Sequence, residues 1–186
     1  MSKSSLASVI LFSLALVSIC PQAKVAAQTG QLNHGDQAPD FSLPYATRDS
    51  ISVEDVGLSS YQGVRNVVIA FYPADWSGGC TREVCTLRDN FAQLSQLDAE
   101  ILAISGDYVY SHQQWAKELN LPFKLLSDHS HKVAKLYGSF NDNSGFNKRT
   151  VFIVDKNGKI AYADLEYNTK DATSFDKLRE ALAKVK

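Results

Sequence analysis

Asn66-Val-Val-Ile-Ala-Phe-Tyr72 runs straight into Pro73-Ala-Asp-Trp-Ser-Gly-Gly-Cys80 and then Thr81-Arg-Glu-Val-Cys85. The first block is a continuous apolar run rich in β-branched residues, the pattern of a strand buried on both faces. Pro73 to Gly79 holds proline, aspartate, serine and two glycines and reads as a turn. Beyond it Val84, Leu87, Phe91, Leu94 and Leu97 recur at helical spacing, which predicts a helix from Cys80 to about Leu97. A strand, a tight turn and a helix start place Cys80 at the helix N-terminus. Open backbone N–H groups and the positive end of the helix dipole there favour a thiolate over a thiol. The stretch reads as a setting for sulfur used as a nucleophile.

The flanking sequence extends the alternation. Glu100 to Ser105 predicts a second buried strand, Tyr110 to Leu119 a helix, Pro122 to Leu126 a short strand and Ser130 to Tyr137 a short helix. Thr150 to Val154 and Lys159 to Ala163 flank Asp155-Lys-Asn-Gly158, a hairpin turn. Ser174 to Val185 closes the chain as an amphipathic helix. On the N-terminal side, Gln28 to Ala46 is polar and turn-rich, and its two prolines argue for an extended or edge segment. Strand–helix alternation followed by a hairpin and a helix predicts an α/β domain: a thioredoxin-like three-layer fold, its central mixed sheet flanked by helices.

The 186 residues suit one domain plus an appendage. Net charge is −1, with no long Lys/Arg run, which argues against nucleic acid or an anionic membrane surface as partner. The appendage is N-terminal: a basic start at Lys3, an apolar stretch from Leu6 to Cys20 broken by serines, then Pro21 and Val25-Ala-Ala27. That is a secretory signal pattern, predicting a signal peptide over 1–27, a domain over 28–186 and export to a periplasmic or extracellular space. Its apolar core is short of the ~20 residues a membrane span needs, so no stable membrane association is expected after cleavage. An uncleaved anchor is the rival. Acylation of Cys20 is disfavoured by bulky Ile19 just before it.

With Cys20 removed, Cys80 and Cys85 are the remaining cysteines. In an oxidising compartment such a pair is often a structural disulfide. Residues five apart on an α-helix have Cα atoms roughly 8–9 Å apart, beyond the ~7 Å that a disulfide bridges without backbone movement. A bond between them would require the first helical turn to unwind. That suits a cycle better than a static staple.

Pro73-Ala-Asp-Trp-Ser-Gly-Gly-Cys80 fits the pattern P-x-x-x-[ST]-x-x-C, and in this setting it resembles the peroxiredoxins, thiol-dependent peroxidases on a thioredoxin-like fold. Gly35-Asp-Gln-Ala-Pro-Asp-Phe-Ser-Leu-Pro44, Leu121-Pro-Phe-Lys-Leu-Leu-Ser-Asp128, Val133-Ala-Lys-Leu-Tyr-Gly138 and Arg149-Thr-Val-Phe-Ile-Val-Asp155 resemble further family blocks in the expected order. The resemblance implies that Cys80 is the peroxidatic cysteine, Ser77 the family's Thr/Ser position, Pro73 the proline that shields the sulfur and Arg149 the active-site arginine. Cys85 resembles the resolving cysteine of the bacterioferritin-comigratory, or Q-type, branch. Thr81 and Glu83 agree with that branch, whereas Gly78 stands where it usually has proline. The resemblance further implies a hydrogen peroxide or organic hydroperoxide substrate, a thioredoxin-like dithiol reductant, no cofactor, no metal, and a monomer or homodimer.

Each residue also has a plainer role open to it. Ser77 suits a helix cap, Arg149 a solvated strand end, and Trp76 a pocket wall or an exposed turn aromatic. Glu83 suits a dipole partner or an anchor for Arg149. Asp128-His-Ser-His131 offers weak metal-ligand spacing, and His34 and His112 have no partner evident in the sequence. A thioredoxin-like disulfide oxidoreductase would want C-x-x-C, and a proline where Thr150 stands. A copper-handling protein of the same fold would want C-x-x-x-C and a placed histidine.

Overall fold

The computed structural model describes residues 31–52 and 54–185, so the expected signal segment over 1–27 and Cys20 lie outside the described residues. The elements in chain order are β1 Ser42–Leu43, β2 Tyr45–Ala46, β3 Val56–Gly57, a 3-10 turn Leu58–Tyr61, β4 Asn66–Phe71, α1 Gly78–Asp89, α2 Phe91–Gln96 and β5 Ala99–Ser105. They continue with α3 Val109–Glu118, β6 Lys124–Ser127, α4 Lys132–Leu136, β7 Phe140–Asn141, β8 Phe146–Asn147, β9 Thr150–Val154, β10 Ile160–Asp164 and α5 Ala172–Leu182.

Six strands form one sheet in the order β10-β9-β4-β5-β6-β2. β4, β5 and β6 run parallel, while β9, β10 and β2 pair antiparallel, so the sheet is mixed as the sequence predicts. Every residue of β4 is buried. Alternate residues serve opposite cores: Val68, Ala70 and Tyr72 pack with Val84, Leu87, Trp115 and Leu178 of α1, α3 and α5. Val67, Ile69 and Phe71 pack with Phe41, Val133 and Tyr137 on the other face. A continuous apolar run is what a strand between two cores requires. The three-layer, thioredoxin-like arrangement follows from it.

Two expectations are corrected. The single helix from Cys80 to Leu97 is two helices, α1 and α2, broken at Asn90, whose backbone has left helical geometry. The Asn90 amide donates to the Thr86 carbonyl at 2.8 Å, so the side chain takes an acceptor that a continuing helix shares only with the backbone. Helix α1 also begins two residues early, at Gly78, because Ser77 caps it from an extended conformation. The short β7–β8 hairpin had no period-2 signal long enough to announce it.

Candidate active site

β4 carries the chain to the carboxyl edge of the sheet, where Tyr72 and the partly buried Pro73 start the turn. Ser77 then caps α1, its Oγ accepting the Cys80 N–H at 3.3 Å. The same hydroxyl donates to Cys80 Sγ at 2.7 Å. Cys80 is fully buried and unbridged. Arg149, the residue before β9, reaches it from the neighbouring strand: Nη2 donates to Sγ at 3.2 Å and Nη1 to Glu83 Oε2 at 2.6 Å. The sulfur therefore faces a hydroxyl and a guanidinium, donors that suit a sulfur carrying negative charge.

The guanidinium lies directly over Gly79. A Cβ built there would stand 2.7 Å from Arg149 Nη2 and 3.3 Å from Cζ, whereas one at Gly78 meets nothing within 4 Å. The two glycines thus differ: Gly79 is the space that lets the arginine reach the sulfur.

Glu83, one turn along α1, is buried, and its Oε1 has no hydrogen-bond partner among the described groups. Burial pushes its carboxyl up from 4.5 to about 7, against the opposing pull of Arg149. The folded chain therefore keeps a proton that the unfolded chain releases between pH 4.5 and about 7. The unfolded state binds fewer protons there, so stability falls as pH rises through that window and levels off above it. Glu83→Gln should remove this fall, of order 3 kcal/mol. Urea unfolding midpoints of both proteins across the window check it, and parallel curves would refute it.

The structure brings Ser77, Cys80 and Arg149 together and adds Glu83 as the arginine's anchor. Cys85 lies on the same unbroken helix, partly buried, also a free thiol. Sequence reasoning missed Asp75 and His112. Asp75 is fully buried, and His112, also fully buried, approaches its carboxylate to 3.0 Å. Their separation of 37 residues left no local signal, and an aspartate is an ordinary residue for such a turn. His129 and His131 take separate partners: His129 Nε2 meets Tyr108 Oη at 2.7 Å and His131 Nδ1 meets Asn147 Oδ1 at 2.9 Å. Beside the site lies an open basin of about 930 Å³, lined by Gly79, Arg82, Lys148, Arg149, Glu166 and Lys170 among others.

Comparison with known proteins points the same way. The AhpC/TSA family profile matches residues 34–163. The chain is 40% identical over 134 residues to "Peroxiredoxin Q, chloroplastic" of Oryza sativa subsp. japonica, covering 72% of this chain and 59% of that protein's length. It is 38% identical to "Putative peroxiredoxin bcp" of Coxiella burnetii, covering 68% of this chain and 84% of that one. Among solved structures, peroxidoxin BcpB from Mycobacterium tuberculosis superposes with a TM-score of 0.72 at 27% identity, covering 84% of this chain and 99% of that one.

Proposed function

This chain belongs to the AhpC/TSA family, and from that premise we propose that it is a thiol peroxidase in which Cys80 reduces hydrogen peroxide or an organic hydroperoxide. One observation carries the reading: a hydroxyl and a guanidinium converge on a buried sulfur at 2.7 and 3.2 Å.

The ionised sulfur attacks the terminal peroxide oxygen. An S–O bond forms, the O–O bond breaks, and the departing hydroxide or alkoxide takes a proton to leave as water or alcohol. Cys80 becomes a sulfenic acid. Negative charge moves from sulfur to the leaving oxygen, so donors fixed beforehand lower the barrier. Arg149 offers a rigid planar fork that serves sulfur and oxygen together. Ser77 can follow the moving charge by rotating its hydroxyl. Cys85 then attacks the oxidised sulfur: an S–S bond forms, the S–O bond breaks and water leaves. A dithiol reductant of thioredoxin type returns both thiols.

Mass spectrometry after one equivalent of peroxide tests the scheme. The wild-type chain should lose two hydrogens as the disulfide forms, and Cys85→Ser should instead gain one oxygen. Recycling of Cys85→Ser by a dithiol protein should slow about a hundredfold, because an external thiol must replace one held at high effective concentration. Undiminished turnover in that variant would end the resolving role of Cys85.

The residues of 1–27 support an exported protein with a cleaved leader. N-terminal sequencing of the exported chain should begin at Gln28. A chain still starting at Met1 would contradict cleavage.

A further inference from the structure

The buried pair beside the site lies outside the chemistry above. We propose that Asp75 and His112 form a clamp that holds the turn before Cys80 closed, and so sets how oxidised Cys80 divides between disulfide formation and over-oxidation. The inference rests on the peroxidase reading and deepens it.

Asp75 lies in the turn two residues before Ser77, and its side chain is fully buried. Oδ1 accepts from Tyr72 Oη at 2.8 Å and Oδ2 from Ser111 Oγ at 2.7 Å. His112 Nδ1 stands 3.2 and 3.0 Å from the two oxygens. At its far side His112 Nε2 is 3.2 Å from the Leu126 carbonyl, which can only accept. Every polar side-chain atom of the pair has a partner within 3.2 Å, and the set joins the turn to α3, to β6 and to Tyr72 just past the end of β4. A closed buried network is rigid, whereas one broken link leaves a polar group unpaired away from water.

The neighbouring backbone is tied down as well. The Asp75 N–H donates to Asp107 Oδ2 at 2.8 Å, and that oxygen also takes the Ser105 hydroxyl at 2.8 Å. Trp76 Nε1 donates to Ser111 Oγ at 3.1 Å. The Trp76 backbone sits at φ 61, a conformation bulky residues seldom adopt, although the residue is more than half exposed. Such a geometry persists where its surroundings hold it. From Ser77 onward the ties are mostly within the first turn of α1, the Ser77 carbonyl accepting the Thr81 N–H at 2.8 Å and the Thr81 hydroxyl at 3.0 Å. Gly78 and Gly79 have no side chains, and Cys80 is held through its sulfur and its N–H. The clamped turn thus sets the position of Ser77, whose hydroxyl and carbonyl in turn hold the first turn of α1.

That hold matters because Cys85 reaches Cys80 only if the first turn of α1 unwinds. While the turn stays closed, the sulfenic acid remains among the donors that favour attack on peroxide. A second peroxide then forms a second S–O bond, breaks its own O–O bond and releases water or alcohol, leaving a sulfinic acid. When the turn opens, Cys85 forms the disulfide and expels water. A tight clamp prolongs the first situation and a loose one hastens the second. Asp75 and His112 are positioning residues, since neither touches the sulfur.

The test oxidises wild type, Asp75→Asn, His112→Gln and Ser111→Ala with graded peroxide and weighs sulfinic acid against disulfide by mass spectrometry. The ratio should fall about tenfold in Asp75→Asn and His112→Gln, the order of one buried hydrogen bond, and by less in Ser111→Ala. Leu182→Ala, a buried position on α5, supplies a loss of stability that leaves the clamp intact and should keep the wild-type ratio. An unchanged ratio in the clamp variants, or an equal fall in Leu182→Ala, overturns the clamp while the peroxidase stands. If the two strongest variants fail to fold, an unchanged ratio in Ser111→Ala overturns it. A wild-type chain that takes up no oxygen and forms no disulfide overturns the peroxidase reading, and the clamp with it.

Discussion

Cys80→Ser should consume hydroperoxide at least about a thousandfold more slowly than the wild-type protein, the scale of loss seen when a covalent nucleophile is removed. The substitution changes one atom in a site that otherwise stays assembled. A serine oxygen would still be a capped helix-start side chain facing the Ser77 hydroxyl and the Arg149 guanidinium. It would not ionise at neutral pH, and it is far less able than sulfur to attack the peroxide oxygen. The donors would remain without a nucleophile. Because Cys80 is buried and contributes to the main core, its loss tests chemistry only if the fold survives. Circular dichroism and a urea midpoint near that of the wild type establish survival. Cys85→Ser gives the complementary result: one equivalent of peroxide is consumed at the normal initial rate, and then recycling slows. Undiminished peroxide consumption in Cys80→Ser would remove the sulfur from the mechanism altogether.

What the sequence disclosed follows the range over which its signals act. The β4–turn–α1 passage was legible because an apolar run, a proline, a capping serine and a helical period sit within a few residues of one another. The hairpin at Asp155 to Gly158 was legible for the same reason: Gly158 takes φ 78 and its N–H closes on the Asp155 carbonyl at 2.9 Å. The break at Asn90 was hidden, since the apolar spacing runs through it without a pause. It shows in the Asn90 backbone and in the side-chain bond to Thr86. Arg149 came from the family resemblance, because 69 residues separate it from the sulfur it touches. The Asp75–His112 pair spans 37 residues, and nothing in the family pattern pointed to it. A histidine on an amphipathic helix face carries no mark of the carboxylate it will meet. The raised Glu83 carboxyl was equally invisible, because it depends on the sheet and helices closing over a residue placed in the first turns of α1.

The second large effect falls on the guanidinium, and two unlike substitutions should produce it. Arg149→Lys keeps the positive charge and loses the planar fork. The guanidinium reaches Glu83 at 2.6 Å and the sulfur at 3.2 Å from two separate nitrogens in a fixed plane, whereas an ammonium must serve both from one flexible point. The rate of Cys80 oxidation should fall about a hundredfold, the scale of one fixed donor to a developing charge. Gly79→Ala leaves every charged group in place and adds one methyl group. Its Cβ would stand 2.7 Å from Arg149 Nη2, closer than carbon and nitrogen tolerate, so the guanidinium must withdraw from the sulfur. A loss of about tenfold or more is expected, by the same reasoning. Gly78→Ala is the control, because a Cβ there meets nothing within 4 Å, and its first oxidation step should match the wild type. Stopped-flow measurement of the oxidation step separates this effect from any on recycling. Should Gly79→Ala oxidise at the wild-type rate while Arg149→Lys does not, the arginine acts without the close approach that the glycine permits. Should both oxidise normally, the contact between Arg149 and Cys80 has no part in the reaction.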